Sequence, residues 1–592
     1  MHLPPAQKQD RPLITGTRDK DLPENRDART AGGSLDFLLI LCVCLAVYAN
    51  SFAVGWISDD IRFITGNPSI KSISNVGKFF SAPHGTTAST SGYEGIYRPL
   101  RTLSFAADYS IWGLRPFGFH LTNLLWHFIA SALVFVVCLR LDLSRRAALA
   151  AGVLFAVHPA QVEAVTWIAS RADVMAAVFM LASFLLFLQS RASMSSGFAP
   201  LIASLLAFIF ALLSKETAIV LPILLIAYEV SFRLKHRFGR GLLKHALFVS
   251  AAIIYFMGRA YMLHTISQQG YWGGSFLVTV LTMAKCFLIY LKLVFLPSLI
   301  NCMEYMVKLA VPPVSMSSIL PLALVCAFVA GVFIVWQISP VAGFGLGWFL
   351  IALAPVSNIF PISMLMAERF LYVPLVGVCI AAAAVFDKAD ISTIYAPRRL
   401  STIAICIIAG LLGLITIVKN SAWVNPEILW TQTLRQYPDS YRARMGLAYT
   451  YYERGQSLEA IKQYSQALQI FPNSQVLHDM GNTYRQMGDF NSAIAAYNSA
   501  LALDPSSSWT HTSLGITYML QNRPDRALEE FRRSLEINPT YPITHFYLGV
   551  VLEEKGELGS ALHEYKTALS YAPDRGDIRQ RIKDLEQHMK RE

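Results

Sequence analysis

The feature that most constrains this chain is a succession of apolar runs that occupies most of residues 37–418. The first of them, from Phe37 to Ser58, contains no charged side chain and is long enough to cross a hydrocarbon layer of about 30 Å as a helix. Because backbone amides find no water partner in lipid, every run is expected to be helical. We therefore predict a membrane body of eleven or twelve spans. The other runs lie near 117–139, 147–168, 174–190, 198–213, 217–232, 246–263, 276–297, 317–337, 341–360, 367–386 and 400–418.

The composition agrees with a membrane protein. Hydrophobic residues make up 54% of the 592 positions and charged residues only 15%, against about a quarter in soluble domains. The formal charge of +11 comes from cations scattered among short loops, without a basic face that carries stacking aromatics, so we predict no nucleic-acid partner. The cysteines form no CxxC pair, so we predict neither a disulfide framework nor a zinc site, and no residue is assigned as a metal ligand.

The distribution of cations among the loops predicts which loops face the cytoplasm. Lys and Arg concentrate in alternate loops, and the positive-inside rule assigns these loops and the N-terminus to the cytoplasm. Residues 1–34 are then a disordered cytoplasmic tail, the long segment 55–116 is an outer loop, and the C-terminal domain lies outside. Twelve full spans would contradict this orientation, so we expect one run near 264–300 to be re-entrant or peripheral. The cations that set the orientation are Arg140, Arg145, Arg146, Arg191, Arg233, Lys235, Arg237, Arg240, Lys244, Lys388, Arg398 and Arg399.

From about residue 438 the sequence follows a period of 33 or 34 residues. Small, aromatic and proline positions recur in four successive registers, which is the signature of tetratricopeptide repeats. We predict a linker at 421–438 and four repeats at 439–592, with a polar capping helix at 577–590. The fold is thus expected to be all-α, a polytopic transmembrane helical bundle at 35–420 followed by an α-solenoid. The recurring residues are Ala460, Ala493, Ala527 and Ala561; Tyr464, Tyr497, Phe531 and Tyr565; Pro472, Pro505, Pro539 and Pro573; and Ala448, Gly481, Gly515 and Gly549.

An acidic pair, Asp59 and Asp60, follows the first run. Two adjacent carboxylates at a membrane surface repel each other, which raises one pKa and suits a base or a metal ligand. The alternative is a solvated loop, because an Asp pair beside a helix end is common.

A second constellation lies between the third and fourth runs and contains His158, Glu163 and Arg171. The setting is apolar, and a charge there is costly without a partner. A structural Glu163–Arg171 pair is the alternative to a functional role. His158 alone is more typical of a satisfied interfacial histidine than of a catalyst.

Three cations lie at the outer ends of runs: Arg98, Lys215 and Arg369. Several cations on one membrane face can bind a lipid phosphate, Arg through two parallel hydrogen bonds and Lys as a point charge. For Lys215–Glu216 and Glu368–Arg369 the alternative is local charge balance between neighbours in the sequence.

These motifs stand in a fixed order before the repeats. After the acidic pair come Tyr97-Arg98-Pro99-Leu100, the segment from Gly118 to His127, Phe155-Ala156-Val157-His158-Pro159 with Glu163-Ala164-Val165, Arg171-Ala172-Asp173, Ser214-Lys215-Glu216-Thr217, Ser357-Asn358 and Ala367-Glu368-Arg369-Phe370-Leu371-Tyr372-Val373-Pro374. The order resembles that of the transmembrane and tetratricopeptide-repeat O-mannosyltransferases and their prokaryotic relatives in the C-type, multi-span glycosyltransferase superfamily. The resemblance covers about residues 35–575.

The resemblance implies transfer of a sugar, typically mannose, from a polyprenyl-phosphate carrier to a Ser or Thr hydroxyl of a protein on the outer membrane face. Asp59 or Asp60 would then be the general base, and Glu163 would position the acceptor or assist. The phosphate leaving group would be held by Arg98, Arg171, Lys215 and Arg369. No cofactor besides the lipid-linked donor is implied, and a divalent metal stays undecided. The repeats would bind the acceptor polypeptide or a protein partner, outside the inner membrane of a prokaryote.

Two other hypotheses remain open on sequence grounds. A non-enzymatic, membrane-anchored repeat scaffold for envelope or secretion assembly would explain the solenoid, although a single helix would suffice as its anchor. An enzyme that modifies a glycan or lipid, with the repeats as a partner-binding appendage, would also fit.

Overall fold

The computed structural model describes residues 33–81, 96–192, 198–232, 240–263, 270–310, 316–391, 398–572 and 575–590. Within these ranges every regular element is a helix, which confirms the predicted all-α class. The predicted tail at 1–34 lies outside them except for its last two residues. Pro573 and residues 82–95 of the predicted outer loop also lie outside the described residues.

The helices fall into an N-terminal body and a C-terminal solenoid. Those of the body are α1 (Ser34–Tyr48), α2 (Val76–Ser81), α3 (Pro99–Trp112), α4 (Pro116–Arg140), α5 (Arg145–Val157), α6 (Val162–Thr166), α7 (Arg171–Ala192), α8 (Phe198–Ser214), α9 (Leu221–Ser231), α10 (Arg240–Leu263), α11 (Phe276–Phe295), α12 (Met316–Ile338), α13 (Pro340–Leu353), α14 (Tyr372–Ile391) and α15 (Arg398–Ser421). Those that follow are α16 (Pro426–Gln436), α17 (Tyr441–Glu453), α18 (Ser457–Ile470), α19 (Ser474–Gln486), α20 (Phe490–Leu503), α21 (Ser508–Leu520), α22 (Pro524–Ile537), α23 (Pro542–Glu554), α24 (Leu558–Tyr571) and α25 (Gly576–Met589).

Against the predicted eleven or twelve spans, the described helices contain fewer that pass a test of length and apolar composition. All of the predicted runs coincide with helices, but only eight of the described helices are long and apolar enough to cross a membrane, or nine if a bent pair counts as one span. Helices α8, α9 and α13 have 17, 11 and 14 residues. The third run bends by 51° between α5 and the segment Pro159–Thr166. Hydropathy does not register these breaks, because they come from prolines and charged residues inside otherwise apolar stretches.

Residues 264–269 of the segment 264–300, where we expect an interruption, lie outside the described residues. Helix α11 is continuous over 20 residues and is one of the eight candidate spans. The bend of the third run follows His158, whose Nδ1 accepts a hydrogen bond from the Ala160 N–H (3.2 Å). Short 3-10 turns follow at Pro159–Gln161, Ile168–Ser170 and Glu216–Val220, and another at Glu368–Leu371. The turns Ile168–Ser170 and Glu368–Leu371 begin the candidate spans Ile168–Arg191 and Glu368–Lys388, so that the charged residues there lie at the starts of these spans.

Helices α13 and α14 cross at two glycines. A Cβ atom on Gly345 would lie 2.5 Å from the carbonyl oxygen of Gly377, and a Cβ on Gly377 would clash with Gly345 in turn. Such close approach of backbones is typical of membrane helices, which associate through small residues. The crossing brings the end of α13 next to the start of α14, where a cleft opens.

The predicted repeats are helix pairs, α17–α18 through α23–α24. In three of them a glycine of the first helix packs against an aromatic ring of the second, and an added Cβ would lie 2.5–2.7 Å from that ring. The contacts are Gly481–Tyr497, Gly515–Phe531 and Gly549–Tyr565. The recurring alanine and aromatic positions are all buried. The period therefore reports the packing of each helix pair.

The segment 421–438, which we predicted as a linker, is mostly helical. Its helix α16 lies against α17, and the indole of Trp430 fills the space beside Gly446 so closely that no side chain fits there. Trp430, Ala443 and Leu447 form a small apolar cluster. Helix α16 is thus the first helix of the solenoid.

The solenoid is attached to the body through residues 296–310, which we call the docking loop. The Met303 N–H donates a hydrogen bond to Thr433 Oγ1 (3.1 Å), and the Asn301 N–H donates to Gln432 Oε1 (3.1 Å). Both acceptors belong to α16. The docking loop follows α11, so the solenoid starts at the end of the body where α11 ends.

Candidate functional site

The predicted acidic pair divides into two environments. Asp60 is buried, and its Oδ1 and Oδ2 accept hydrogen bonds from the N–H groups of Ala169 (2.7 Å) and Ile57 (3.2 Å). Burial raises the pKa of Asp60 to about 8, against the opposing effect of those two N–H groups. Because both oxygens are occupied, Asp60 ties the loop after α1 to the turn before α7. Its position is that of a structural carboxylate.

Asp59 is only partly buried, and no described residue donates a hydrogen bond to it. Burial raises the pKa of its carboxyl, while nearby guanidinium groups lower it. Those groups belong to Arg369, Arg62, Arg101 and Arg98. A carboxylate with a raised pKa and a free oxygen, surrounded by cations, is suited to act as a base next to a phosphate. Of the two residues, Asp59 is therefore the candidate base.

Glu163 is paired with Arg369 rather than with Arg171. Its Oε2 accepts a hydrogen bond from the Arg369 N–H (2.9 Å), and its Oε1 forms an ion pair with the Arg369 guanidinium. Glu163 is buried. The Arg369 guanidinium also lies 5.1 Å from the centre of the Trp167 ring. Glu163 thus orients Arg369 by both its backbone and its side chain.

Local charge balance was the alternative interpretation of Lys215–Glu216 and Glu368–Arg369. In the structure the two members of each pair bind other residues. Glu216 binds Arg98 through two hydrogen bonds, Nε to Oε2 (3.2 Å) and Nη2 to Oε1 (2.7 Å). Burial opposes the ionisation of Glu216, but the Arg98 guanidinium outweighs it and lowers the pKa of that carboxyl. Lys215 forms a buried ion pair with Asp173. Each neighbour therefore faces a different part of the body.

Arg171 does not lie with the other predicted phosphate ligands. It is fully buried and pairs with Asp108 Oδ2 (2.6 Å). Its guanidinium also donates to Asn123 Oδ1 (2.5 Å) and to the Phe119 carbonyl oxygen (2.9 Å). With these partners Arg171 joins α3, α4 and α7, and we no longer place it among the phosphate ligands.

Both ring nitrogens of His158 form hydrogen bonds with backbone groups, as expected for a histidine without a catalytic role. Its Nε2–H donates to the Val294 carbonyl oxygen (3.0 Å), and its Nδ1 accepts from Ala160. It joins the bend after α5 to the end of α11.

Arg101 belongs to the site, although the sequence analysis did not single it out. Its side chain is buried, lies 4.1 Å from the centre of the Phe63 ring, and has an Nε that no described residue accepts from. Burial and the neighbouring Arg98 lower the pKa of its guanidinium, and Asp59 opposes them. Its place three residues after Arg98, one helical turn along α3, was the available sequence signal.

A cleft opens between the start of α14 and the loops that carry these charges. Its empty volume is about 290 Å³, including its opening to solvent. The polar lining comes from Asp173, Lys215, Thr217 and Arg369, and the apolar lining from Ala352, Val356, Phe370, Val373 and Pro374. We call this the cationic cleft.

A second cleft of about 260 Å³ shares Val356 with the first. Its lining is almost wholly apolar and consists of Met283, Phe287, Tyr290, Leu353, Val356 and Ser357. We call this the apolar cleft. Within the described residues, no three His, Cys, Asp or Glu side chains are grouped to hold a metal ion.

Comparison with protein families identifies the solenoid. Three family models match, described as tetratricopeptide repeats, over residues 429–474, 481–522 and 509–541. The first match begins inside α16. Among solved structures, the crystal structure of MamA is similar at 20% identity and a TM-score of 0.24 over 26% of this chain and 89% of that one. A tetratricopeptide-repeat protein of Thermus thermophilus is similar at 20% identity and a TM-score of 0.25, over 32% of this chain and 95% of that one.

The membrane body and the solenoid together resemble several protein O-mannosyl-transferases. Protein O-mannosyl-transferase TMTC3 of Mus musculus is 25% identical over 509 residues, which is 76% of this chain and 52% of the relative. Protein O-mannosyl-transferase Tmtc2 of Drosophila melanogaster is 36% identical over 228 residues, 37% of this chain and 24% of the relative. The chain thus spans about half the length of the mouse relative and less of the Drosophila one. Along most of its own length, it matches the family of transmembrane and tetratricopeptide-repeat O-mannosyl-transferases.

Proposed function

We propose that this chain is a membrane glycosyltransferase. It moves a sugar, mannose or another hexose, from a polyprenyl-phosphate carrier to Ser or Thr hydroxyls of protein acceptors on the outer face of the membrane. The observation that carries the proposal is Asp59, a partly buried carboxylate with no hydrogen-bond donor among the described residues, held in the field of Arg369 beside the cationic cleft. The names of the relatives support the reaction class.

The reaction needs a base on the acceptor side and cations on the donor side. Asp59 takes the proton of the acceptor hydroxyl as its oxygen forms a bond to the anomeric carbon. The bond from that carbon to the phosphate oxygen breaks, and the electron pair leaves with the polyprenyl phosphate. The raised pKa of Asp59 makes it a stronger base than an ordinary aspartate.

The cations of the site would stabilise the phosphate as its charge grows. Lys215 and Arg369 line the cationic cleft, and Arg98 and Arg101 lie close enough to interact with Asp59. Lys215 and Arg369 are each fixed by a buried carboxylate, so no reorganisation is needed when the leaving group forms. Arg101 takes the place that we had predicted for Arg171.

The apolar cleft supports a lipid-linked donor. It continues from the cationic cleft through Val356 and is lined by side chains of α11 and the end of α13. An isoprenoid chain would lie on this apolar surface while its phosphate faces Lys215 and Arg369. A water-soluble sugar nucleotide would gain nothing from such a surface.

The solenoid is proposed to hold the acceptor polypeptide or a protein partner near the site. Its first helix is bonded to the docking loop, and tethering raises the effective concentration of an acceptor segment. The alternation of loop cations supports an integral membrane protein with the site and the solenoid outside, and the membrane is proposed to be the inner membrane of a prokaryote. A reporter fused after residue 592 tests this orientation, and reporter activity in the cytoplasm would contradict it.

The central test replaces Asp59 with Asn in the full-length chain, reconstituted with polyprenyl-phosphate mannose and a Ser/Thr-rich peptide. Loss of a general base is expected to lower transfer by about 10²–10⁴-fold with unchanged thermal stability. In the wild type, transfer should fall as the pH drops through the pKa of Asp59, above the range of an ordinary aspartate. Asp387→Asn is the matched control, because Asp387 lies near the far end of α14 from Arg369.

Two outcomes would overturn the proposal. Full transfer by the Asp59→Asn protein would remove the proposed base. Absence of any sugar transfer by the wild type, together with loss of the cellular phenotype on substituting exposed residues of the solenoid, would favour the non-enzymatic scaffold. Mass spectrometry of proteins that lose a hexose in a deletion strain would identify the acceptors.

A further inference from the structure

Glu368 and Arg369 are adjacent but face opposite sides of one turn. Arg369 points to Glu163 and the cationic cleft. Glu368 Oε2 accepts from Lys419 Nζ (2.5 Å), and its Oε1 accepts from the Tyr305 hydroxyl (2.6 Å). The 3-10 turn Glu368–Leu371 is therefore held from both sides.

The Tyr305–Glu368–Lys419 cluster is isolated from solvent. The side chains of Lys419 and Glu368 are 1% and 3% exposed, and Tyr305 is buried. Glu368 has two donors among the described residues, and it depends strongly on each of them, because a buried charge left without partners is costly. Loss of either donor is thus expected to move Glu368, and the turn with it.

The other end of this cluster belongs to the solenoid's attachment. Tyr305 lies in the docking loop, next to Glu304, which pairs with Arg442 of α17 (3.6 Å). The Tyr305 ring is 6.0 Å from that of Tyr437, at the end of α16. The docking loop also reaches Lys419 directly, since Asn301 Nδ2 donates to the Lys419 carbonyl oxygen (2.8 Å).

We propose that Tyr305, Glu368 and Lys419 are positioning residues for Arg369, and that through the docking loop they make the position of Arg369 depend on the seating of α16. The contacts run without a gap from α16 to the docking loop, from Tyr305 to Glu368, and along one peptide bond to Arg369. The inference rests on the proposed function only for its effect on sugar transfer. Its structural part stands on these contacts.

The test measures amide hydrogen exchange in the full-length protein in lipid nanodiscs. The key amide is that of Arg369, which donates to Glu163 Oε2 and so reports directly on this turn. Tyr305→Phe, which removes one hydroxyl, is expected to speed exchange in residues 367–371 by about ten-fold, since hydrogen bonds to charged groups are strong. Gln432→Ala, on α16, should speed exchange in the same residues by a smaller factor.

Tyr48→Phe is the matched control. Tyr48 is also a buried tyrosine of the body, but its hydroxyl has no hydrogen-bond partner among the described residues. It should leave exchange at 367–371 unchanged. Unchanged exchange there in both Tyr305→Phe and Gln432→Ala would overturn the proposal, as would an equal rise in the Tyr48→Phe protein.

A transfer assay separates this proposal from the proposed function. Tyr305→Phe is expected to lower kcat by about ten-fold while the KM for the peptide acceptor stays the same, because the acceptor-binding surface is intact. If the wild type transfers no sugar, the proposed function fails, and the exchange measurement still decides the positioning role. If transfer occurs and Tyr305→Phe changes only the KM for the peptide, the effect on Arg369 is refuted.

Discussion

The membrane body and the solenoid are both helical, but they use charged residues in opposite ways. In the body, several ion pairs lie inside: the side chains of Lys419 and Glu368, for example, are 1% and 3% exposed. In the solenoid, a pair such as Arg533–Glu529 is 51% and 59% exposed. In successive repeats of the solenoid, the two helices are held together by close packing of a glycine against an aromatic ring. The difference indicates that substitutions of charge should damage the body, and substitutions of shape should damage the solenoid.

The largest effect on stability is expected from Arg171→Met in the body. The substitution leaves the Asp108 carboxylate buried without its main partner, at a cost of about 3–5 kcal/mol. Arg533→Met in the solenoid is the exposed counterpart and should cost less than about 1 kcal/mol. Thermal unfolding of the two purified variants measures the contrast. If the Arg171→Met protein is as stable as the wild type but has a raised KM for the lipid donor, Arg171 is a phosphate ligand after all.

A smaller effect is expected from Gly515→Ala in the solenoid. The added methyl group would lie 2.5 Å from the Phe531 ring, and overpacking of this kind costs about 1–3 kcal/mol. Gly559→Ala is the control, because a Cβ there meets no atom within 4 Å. The control should be neutral or slightly stabilising, since alanine favours a helix by about 1 kcal/mol. Equal stability of the two variants would show that glycine is not required at the crossing.

The smallest effect is expected from the pH dependence of one histidine. Burial lowers the pKa of His545, but its hydrogen bonds to Glu564 and the Pro539 carbonyl outweigh this and raise it. The stabilisation is thus complete below pH of about 6.5 and is lost as the pH rises through the higher folded pKa. His545→Gln should reduce this slope by less than about 1 kcal/mol between pH 5.5 and 8. An unchanged slope in unfolding measurements would assign the pH dependence to other groups.

The same contrast explains how much of the molecule could be predicted. The repeats were predictable because each repeat's packing recurs at a fixed distance in the sequence, as at Gly481, Gly515 and Gly549. The apolar runs likewise predicted helices. Neither pattern indicates which buried charges meet, because Arg98 and Glu216 are 118 positions apart and Glu163 and Arg369 are 206 apart.

The sequence therefore indicated which charged residues to consider for the site, but not which side chains pair with one another. Lys215 and Arg369 do line a common cleft, whereas the buried side chains of Asp60 and Arg171 are bonded to neighbouring loops and helices. The spacing of Arg101 from Arg98 was a weak signal, because only the structure shows that the Arg101 guanidinium is buried without an ion pair to any described residue. Hydropathy also did not show where the apolar runs are divided into shorter helices, because it averages over the prolines and charges that end a helix.

Helix α16 makes it difficult to divide this protein by cutting the chain. A cut at the predicted boundary, residue 439, would separate the Trp430 indole from Ala443, Gly446 and Leu447, which pack against it. A cut before Pro426 would take away the partners of Asn301 and Met303 in the docking loop. Each separated half would therefore carry a defect made by the cut itself. Experiments that ask what the solenoid contributes are better served by substitutions on its surface than by its removal.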